Sequence, residues 1–335
     1  MTGGIEIDYD VIDDDMRRLK PERVILQLPS GMRRMALDVS ERISRRYGCD
    51  VVLSGDACFG ACDIPSIPHG IADAIIQVGH SEMPSVRSEL PAVFLPARIT
   101  LHLDTYLDSI AQSMVSPIGI IATSQHLHQI GKLREALSRR GIETLVGDGS
   151  TRTSCPGHVL GCDYSSAKSI ASSVSSFLLL GGGRFHAIGA RLATGKRVFI
   201  LDPEMKTVYE LEVDDESLLR RRHAVIEKLA DSKTIGVIVS TKIGQMRMKL
   251  AEELLAEIRS AGRTGQLLLV DELLPERLRE FGFDSYVSTA CPRLALDDSD
   301  RFYDILGTPI ELLISLDKID WSDYRFDDWS FGWKE

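Results

Sequence analysis

The sequence predicts an α/β protein made of three similar small parallel-sheet domains around a central site. Three observations predict this fold class. Three segments resemble one another, each segment opens with a short apolar run rich in β-branched residues, and a helical repeat follows each run. The segments begin at Arg23, Ile118 and Ile235, so the repeat is roughly 100 residues long, which suits an internal triplication of domains rather than a solenoid.

The opening runs predict strands. "RVILQ", "IGIIA" and "IGVIV" are apolar or nearly so along their whole length, as expected for strands buried on both faces of a parallel sheet. A small polar turn follows each run: "LPSG", "TSQH" and "STKIG". A helix and a second apolar strand then complete a βαβ unit, whose crossover is right-handed.

The helices are predicted from apolar residues at helical spacing. The first helix has Met32, Met35, Ala36, Val39 and Ile43, and the third has Leu250, Leu254, Leu255 and Ile258. A glycine ends each helix, in "RRYG", "SRRG" and "RSAG".

The predicted domain boundaries are 1–98, 99–214 and 215–335, with joins near residues 95–104 and 209–218. Neither join is a Gly/Ser linker, so we expect the domains to pack against each other. Ligands of open α/β sheets bind at the carboxyl ends of the strands, and three such ends facing a common centre would form one site. The last segment holds Trp321, Trp329 and Trp333 and is expected to be an arm that packs on the body or on a second subunit.

Composition narrows the class of protein. The chain has 335 residues, 44% of them hydrophobic and 26% charged, as in ordinary globular proteins. Its net charge of −10 argues against nucleic-acid binding. No apolar run is long enough to span a membrane, and the acidic start lacks the features of a secretory signal. We therefore expect a cytoplasmic protein with no nucleic-acid or membrane partner.

The six cysteines carry the strongest chemical signal. Cys49 stands at the entry to a strand, where a buried thiol is usually a small core residue. The others follow predicted strands: Cys58, Cys62, Cys155, Cys162 and Cys291. One turn-rich loop in each domain holds a thiol, in "FGACDIP", "PGHVLGCDYS" and "STACPRLALDD". If the domains surround a centre, Cys62, Cys162 and Cys291 can converge there.

The spacing of the thiols leaves three interpretations open. A structural zinc site needs four ligands, so Cys58, Cys155 or a histidine would have to join the three, and no CxxC pair occurs. An iron–sulfur cluster held by three cysteines would leave one iron open for substrate. The thiols could also bind nothing. The usual radical CxxxCxxC motif is absent, because Pro65 stands where its third cysteine would be.

Several motifs resemble a known family. They are "QLPSG", "GDACFGACD", "QVGHS", "PGHVLGCDYS", "GGGRFHAIGARLATGKRVFILDP" and "ACPRLALDD". In this order they resemble the archaeal diphthamide-biosynthesis enzymes, the 2-(3-amino-3-carboxypropyl)histidine synthases, from about residue 20 to about residue 325. The resemblance implies a homodimer and a [4Fe-4S] cluster held by Cys62, Cys162 and Cys291. Cys62 is preferred to Cys58 because the family places its ligand after Gly-Ala.

The resemblance also implies an activity. The family uses non-standard radical chemistry on S-adenosylmethionine, in which the bond from the sulfonium to the methionine γ-carbon breaks. The 3-amino-3-carboxypropyl group is transferred to C2 of a histidine of elongation factor 2, and methylthioadenosine is released. This is the first step of diphthamide biosynthesis, and an electron donor must reduce the cluster. No catalytic side chain beyond the cluster is expected.

Two turns and two acidic residues are candidate contacts of S-adenosylmethionine. Free N–H groups in the turns could hold the methionine carboxylate, and the acids could meet the ribose or the amino group. Helix capping and turn formation explain the same residues equally well. The candidates are Pro29, Ser30, Gly31, Asp56, Ser240, Thr241, Lys242, Gly244, Gln245 and Asp271. His80 and His186 are expected to be structural, and the run Gly181-Gly182-Gly183 lacks dinucleotide-loop spacing.

Two alternative functions remain at this stage. A quinolinate-synthase-like enzyme would share three related domains and three cysteines on one [4Fe-4S] cluster, but would perform a dehydrating condensation. A zinc-stabilised interaction protein would use the thiols for structure alone.

Overall fold

The computed structural model describes residues 4–203, 205–212, 215–296, 299–302 and 306–324. These residues form three sheets of four, five and four strands and one two-stranded ribbon. Parallel strands with helices packed against them confirm the predicted α/β fold class.

The first sheet lies in the N-terminal third of the chain. β1 (Ile5–Ile7), a 3-10 helix (Tyr9–Ile12) and α1 (Asp13–Leu19) precede it. Its elements are β2 (Arg23–Gln27), α2 (Ala36–Tyr47), β3 (Asp50–Leu53), β4 (Ala74–Val78) and β5 (Ala92–Leu95). The strands are all parallel, in the order β3-β2-β4-β5. β6 (Ala97–Ile99) then returns to pair antiparallel with β1.

The second sheet has an extra antiparallel edge strand. Its elements are α3 (Asp104–Ser113), β7 (Ile118–Ala122), α4 (Ile130–Ser138), β8 (Thr144–Leu145), α5 (Ser165–Lys168), β9 (Ser176–Leu180), α6 (Arg184–Thr194), β10 (Arg197–Asp202) and β11 (Thr207–Glu210). The strand order is β11-β10-β9-β7-β8, and β11 is the antiparallel strand.

The third sheet is again fully parallel. Its elements are α7 (Asp215–Asp231), β12 (Thr234–Ser240), α8 (Met248–Ser260), β13 (Thr264–Val270), α9 (Pro275–Phe281), β14 (Ser285–Ser288), α10 (Pro292–Leu296), β15 (Leu306–Gly307) and α11 (Pro309–Ser315). The strand order is β13-β12-β14-β15.

The three sheets share one arrangement of their four parallel strands. In each sheet the first strand lies between the second and the third, and the fourth follows the third. Each sheet is buried between two apolar layers. In β2, for example, Val24 and Leu26 pack in the layer that contains α2, whereas Ile25 faces the opposite layer. Packing on both faces requires consecutive apolar residues in the middle of the strand, as Val24, Ile25 and Leu26 provide in β2.

The predicted helix faces are largely confirmed. Leu250, Leu254, Leu255 and Ile258 are all buried on α8. In the first repeat the chain differs from the prediction, because a 3-10 helix (Ser30–Met35) precedes α2. Ser30 and Gly31 are poor formers of an α-helix, which favours a tighter first turn. The glycines that end the three helices, Gly48, Gly141 and Gly262, all have positive φ.

Several predictions concern the joins and the chain end. β6 lies across the predicted boundary at residue 98, and both boundaries stay predictions. Trp321 stacks on Tyr324 with ring centroids 4.8 Å apart and meets His223 of α7 edge-on, so the start of the arm packs on the third domain. Trp329 and Trp333 lie outside the described residues. Among the described helices, none combines the length and apolar character needed to cross a membrane.

Candidate metal centre

Cys62 is held by a loop of the third sheet. It lies in the connection between β3 and β4, and its carbonyl accepts a hydrogen bond of 3.1 Å from the backbone N–H of Gly244. The side-chain amide of Gln245 donates to the Cys62 sulfur at 3.4 Å. The loop that follows β12 therefore contacts both the backbone and the thiol of Cys62, across 183 positions of sequence.

Cys162 is linked to the same loop through Arg152. Cys162 lies between β8 and α5, ten residues after Arg152. The Arg152 side chain is buried, and its Nη2 donates to the Cys162 sulfur at 3.8 Å and to the Gly244 carbonyl at 3.1 Å. One guanidinium thus connects the thiol loop of the second sheet to the loop that holds Cys62.

Cys291 follows a central strand of the third sheet. It lies between β14 and α10, and the backbone N–H of Arg293 donates to its sulfur. The Arg293 side chain packs beside Gly161, where a methyl group would lie 3.3 Å from it. Arg222 anchors the end of α10 by donating from Nη1 to the Ala295 carbonyl at 2.8 Å. The Cys291 loop therefore contacts the Cys162 loop. The hydrogen bond from Arg222 holds α10, the helix that follows Cys291.

The electrostatics of the thiols show that all three are neighbours. Burial raises the pKa of the Cys62 thiol, and the same cause raises the pKa of Cys162 to about 11. Burial also raises the pKa of Cys291, with further increases from Cys62 and then Cys162. The positive charge of Arg152 opposes these shifts by lowering the pKa of both Cys62 and Cys162. One half-buried thiol from each sheet therefore lies within electrostatic range of the other two.

The three thiols do not lie together as the ligands of a single metal ion would. Within the described residues, no three His, Cys, Asp or Glu side chains lie close enough together to hold one metal ion.

The remaining cysteines have other surroundings. The Cys58 sulfur lies 3.7 Å from Nδ1 of His80, and burial followed by Asp63 and Cys62 raises its pKa to about 12. Cys155 accepts a hydrogen bond from the Ser154 hydroxyl at 3.8 Å. Cys49 packs in the core between the first sheet and α2. All six cysteines are free thiols.

The candidate residues of the third sheet divide into two groups. Lys242, Gly244 and Gln245 all meet the Cys62 loop, and Lys242 forms an ion pair of 2.8 Å with Asp63. Ser240 and Thr241 lie at the end of β12. The Ser240 hydroxyl accepts the backbone N–H of Lys242, and the Thr241 hydroxyl donates to the Asp271 carboxylate at 2.9 Å.

The candidate residues of the first sheet are more exposed to solvent. Ser30 and Gly31 are exposed and Pro29 is half-buried, at the turn that follows β2. Asp56 is exposed as well, and its backbone carbonyl accepts a hydrogen bond from Arg33. Arg33 also donates to the Gly55 carbonyl at 3.3 Å and so joins the turn to the Cys62 loop.

Sequence reasoning missed two charged groups of the centre. Arg152 stands in "DGSTRTSCPG", where a lone cation in a turn-rich loop resembles an ordinary surface residue. Asp63 directly follows Cys62, and this position next to a candidate ligand could have identified it as part of the centre. Both side chains are buried and both bond to another sheet.

Three histidines in or near the thiol loops have lowered pKa values. Burial lowers the pKa of His80 to about 4, and that of His158 and His186 likewise to about 4. His186 also lies near the Arg293 cation, which lowers its pKa further. The two histidines expected to be structural are therefore close to the thiol loops, His80 beside Cys58 and His186 beside Arg293.

Comparisons with known proteins agree over most of the chain. Residues 28–326 match the family described as "Putative diphthamide synthesis protein". A Pyrococcus horikoshii 2-(3-amino-3-carboxypropyl)histidine synthase is 34% identical over 331 residues, covering 96% of this chain and 93% of that protein. Subunit 1 of the Caenorhabditis elegans 2-(3-amino-3-carboxypropyl)histidine synthase is 27% identical over 312 residues, covering 91% of this chain and 78% of that protein.

Solved structures agree as well. The crystal structure of Dph2 from Pyrococcus horikoshii with a 4Fe-4S cluster superposes with a TM-score of 0.86 at 33% sequence identity, covering 97% of this chain and 94% of that one. A second crystal structure of the same protein gives a TM-score of 0.84. The match in sequence spans all three sheets and every thiol of the centre. The chain belongs to the diphthamide synthesis protein family.

Proposed function

We propose that the chain is a 2-(3-amino-3-carboxypropyl)histidine synthase, a transferase that carries out the first step of diphthamide biosynthesis. The observation that carries the proposal is that three half-buried thiols, one from each sheet, lie in loops that contact one another. The similar Dph2 structure, which contains a 4Fe-4S cluster, supports it over nearly the whole chain. The resemblance noted in the sequence leads to the same activity.

Cys62, Cys162 and Cys291 are the proposed ligands of a [4Fe-4S] cluster. Their chemistry fits this group, because soft thiolates are its usual ligands and hydrogen bonds to the sulfurs accompany them. Here Gln245, Arg152 and the backbone N–H of Arg293 supply those hydrogen bonds. Binding would replace the thiol protons, which burial holds in place in the metal-free protein. Cys58 faces His80 instead, which favours Cys62 as the ligand from the first domain.

The reaction transfers the 3-amino-3-carboxypropyl group of S-adenosylmethionine to a histidine of elongation factor 2 and releases methylthioadenosine. When bound, the cluster supplies the electron for reductive cleavage of the sulfonium bond to the γ-carbon. The chain's own residues would bind and orient the substrate, so that its bond from the sulfonium to the γ-carbon is the one presented to the cluster.

The proposed S-adenosylmethionine contacts form two sets. The first is Ser240, Thr241, Lys242, Gly244 and Gln245, and it is supported by the contacts of Gly244 and Gln245 with Cys62. Asp271 is joined to this loop through the Thr241 hydroxyl. Pro29, Ser30, Gly31 and Asp56 form the second set, which Arg33 links to the Cys62 loop.

The proposed partners are elongation factor 2 as protein substrate, a second copy of the chain in a homodimer, and an electron donor. The proposed location is the cytoplasm, where a translation factor would be modified, and six free thiols are consistent with a reducing compartment. Light scattering of the purified protein measures the oligomeric state, and a monomer at micromolar concentration would contradict the homodimer.

The activity is tested by incubating the anaerobically purified protein with dithionite, S-adenosylmethionine and elongation factor 2. We expect mass spectrometry to find the aminocarboxypropyl group on one histidine, together with stoichiometric methylthioadenosine. Cys162→Ala should abolish both products, and Cys49→Ala, which changes a core thiol, should retain them. Colourless wild-type protein with stoichiometric zinc would refute the proposal and favour a structural site.

A further inference from the structure

Two side chains donate hydrogen bonds to the sulfurs of the centre, and they come from different sheets. The Gln245 amide lies 3.4 Å from the Cys62 sulfur, and Nη2 of Arg152 lies 3.8 Å from the Cys162 sulfur. Gln245 is 8% exposed and Arg152 is 5% exposed, so water competes little for either donor. The Cys291 sulfur differs, because the backbone N–H of Arg293 donates to it.

The Arg152 side chain contacts two loops of the centre. Its Nη2 donates to the Cys162 sulfur and to the carbonyl of Gly244, whose own N–H donates to the Cys62 carbonyl. The Gly244 carbonyl, 3.1 Å from Nη2, holds the guanidinium in this place. A positive charge held at this distance from a sulfur favours negative charge on that sulfur, more strongly in a buried site than in water.

We propose that Arg152 and Gln245 set the reduction potential of the iron–sulfur group by donating N–H···S hydrogen bonds to two of its ligands and by placing a fixed positive charge beside them. This inference rests on the proposed function. Reduction adds one negative charge to the group, and hydrogen bonds to its sulfurs stabilise the more negative form. Both residues therefore raise the potential and make the group easier to reduce. They are positioning and tuning residues that act through the ligands.

The test is a redox titration of the anaerobically reconstituted protein, followed by electron paramagnetic resonance of the reduced state. We expect Arg152→Met to bind the full complement of iron. At a fixed potential, its ratio of reduced to oxidised protein should be about tenfold lower than in wild type, which corresponds to a reduction potential about 59 mV lower for a one-electron step. Gln245→Met removes a neutral donor and should lower the ratio by a smaller factor, about threefold. Arg152→Lys keeps the charge and should retain most of the wild-type ratio.

Matched controls separate tuning from stability. Arg140→Met removes a cation of the same domain that pairs with Asp108 on the surface, and Gln266→Met changes an exposed amide of β13. Neither control should move the potential. Arg152→Gln keeps a donor without the charge, and its potential should lie between those of Arg152→Met and wild type.

Each outcome decides a different question. Variants that hold wild-type iron and titrate at the wild-type potential would overturn the tuning role. Loss of iron from every Arg152 and Gln245 variant, with Arg140→Met fully loaded, would also overturn it and leave both residues as structural supports. Wild-type protein that binds no iron–sulfur group at all would instead refute the proposed function on which this inference depends.

Discussion

Cys58 and Cys62 differ only in what their sulfurs meet, and that difference yields a prediction. Cys58→Ala should leave the iron content of reconstituted protein unchanged, because its sulfur faces His80. Cys62→Ala should lose the intact cluster, because this thiol lies near Gln245, Arg152 and the other two proposed ligands. Iron and sulfide analysis with the visible absorption spectrum measures both. The reverse pattern would show that the first domain supplies Cys58 instead.

Another single residue, His126, predicts how stability depends on pH. It is 2% exposed, and burial, followed by the nearby His128, lowers its pKa from 6.5 to about 4. A histidine whose pKa is lower in the folded state contributes stability that is complete above pH 6.5 and is lost as the pH falls toward 4. The loss for this one group is at most about 3 kcal/mol, since each pKa unit corresponds to about 1.4 kcal/mol.

His126→Gln should therefore flatten the decline of the free energy of unfolding over this range. Urea denaturation at a series of pH values measures the slope for wild type and variant. His69→Gln changes an exposed histidine and serves as the control, with a wild-type slope expected. An identical slope in all three proteins would show that His126 takes up no proton on unfolding.

At the scale of elements, the loop after β12 fixes the position of Cys62 by direct contact. A methyl group on Gly244 would lie 2.4 Å from the Cys62 Cα and 2.5 Å from its Cβ, well inside contact distance. Because backbone atoms of two loops meet there, neither can move away without displacing the thiol. This glycine is needed for close approach rather than for an unusual backbone angle.

Gly244→Ala should accordingly reduce the iron content of the reconstituted protein while leaving far-ultraviolet circular dichroism unchanged. Gly131→Ala is a matched control, because a methyl group there meets nothing within 4 Å on α4. Full iron loading of Gly244→Ala would show that the Cys62 loop tolerates the displacement.

The elements also show what sequence could predict. The β-branched runs and helical spacings are local, so β2, β7, β12 and their helices were predictable. β4 and β9, which complete the sheets, were not identified, although "AIIQV" and "SFLLL" are apolar runs of strand length. β8 has two residues, too few for any periodicity to indicate its ends.

At the scale of the whole molecule, the limits of prediction come from contacts distant in sequence. Arg152 meets Gly244 across 92 positions, and Lys242 meets Asp63 across 179. No local pattern reports such pairs, because each residue taken alone resembles an ordinary solvated charge. The thiols were predictable as a set because cysteine is rare and its chemistry is specific. The groups that position them were not.

The pair of Lys242 and Asp63 joins the first sheet to the third and is expected to hold them together at the centre. Its side chains are only 11% and 7% exposed, and Nζ lies 2.8 Å from the carboxylate. Asp63 also accepts the backbone N–H of Phe59, whose ring lies under the Lys242 cation. Removing one partner of a buried pair leaves an uncompensated charge, at a cost of roughly 3–5 kcal/mol.

Lys242→Met should therefore speed amide hydrogen exchange in segments 58–64 and 240–246 more than in the strands of either sheet, because the loops separate before the sheets unfold. Lys318→Met removes a half-exposed partner of Glu257 within the third domain, and a pair of that kind contributes less than about 1 kcal/mol. The double variant Lys242→Met with Asp63→Asn removes both charges and should recover part of the protection. If exchange rose equally in all strands, the pair would support global stability. Exchange confined to the two loops would instead mean that the pair acts locally, by holding the Cys62 loop of the first sheet on the loop that follows β12.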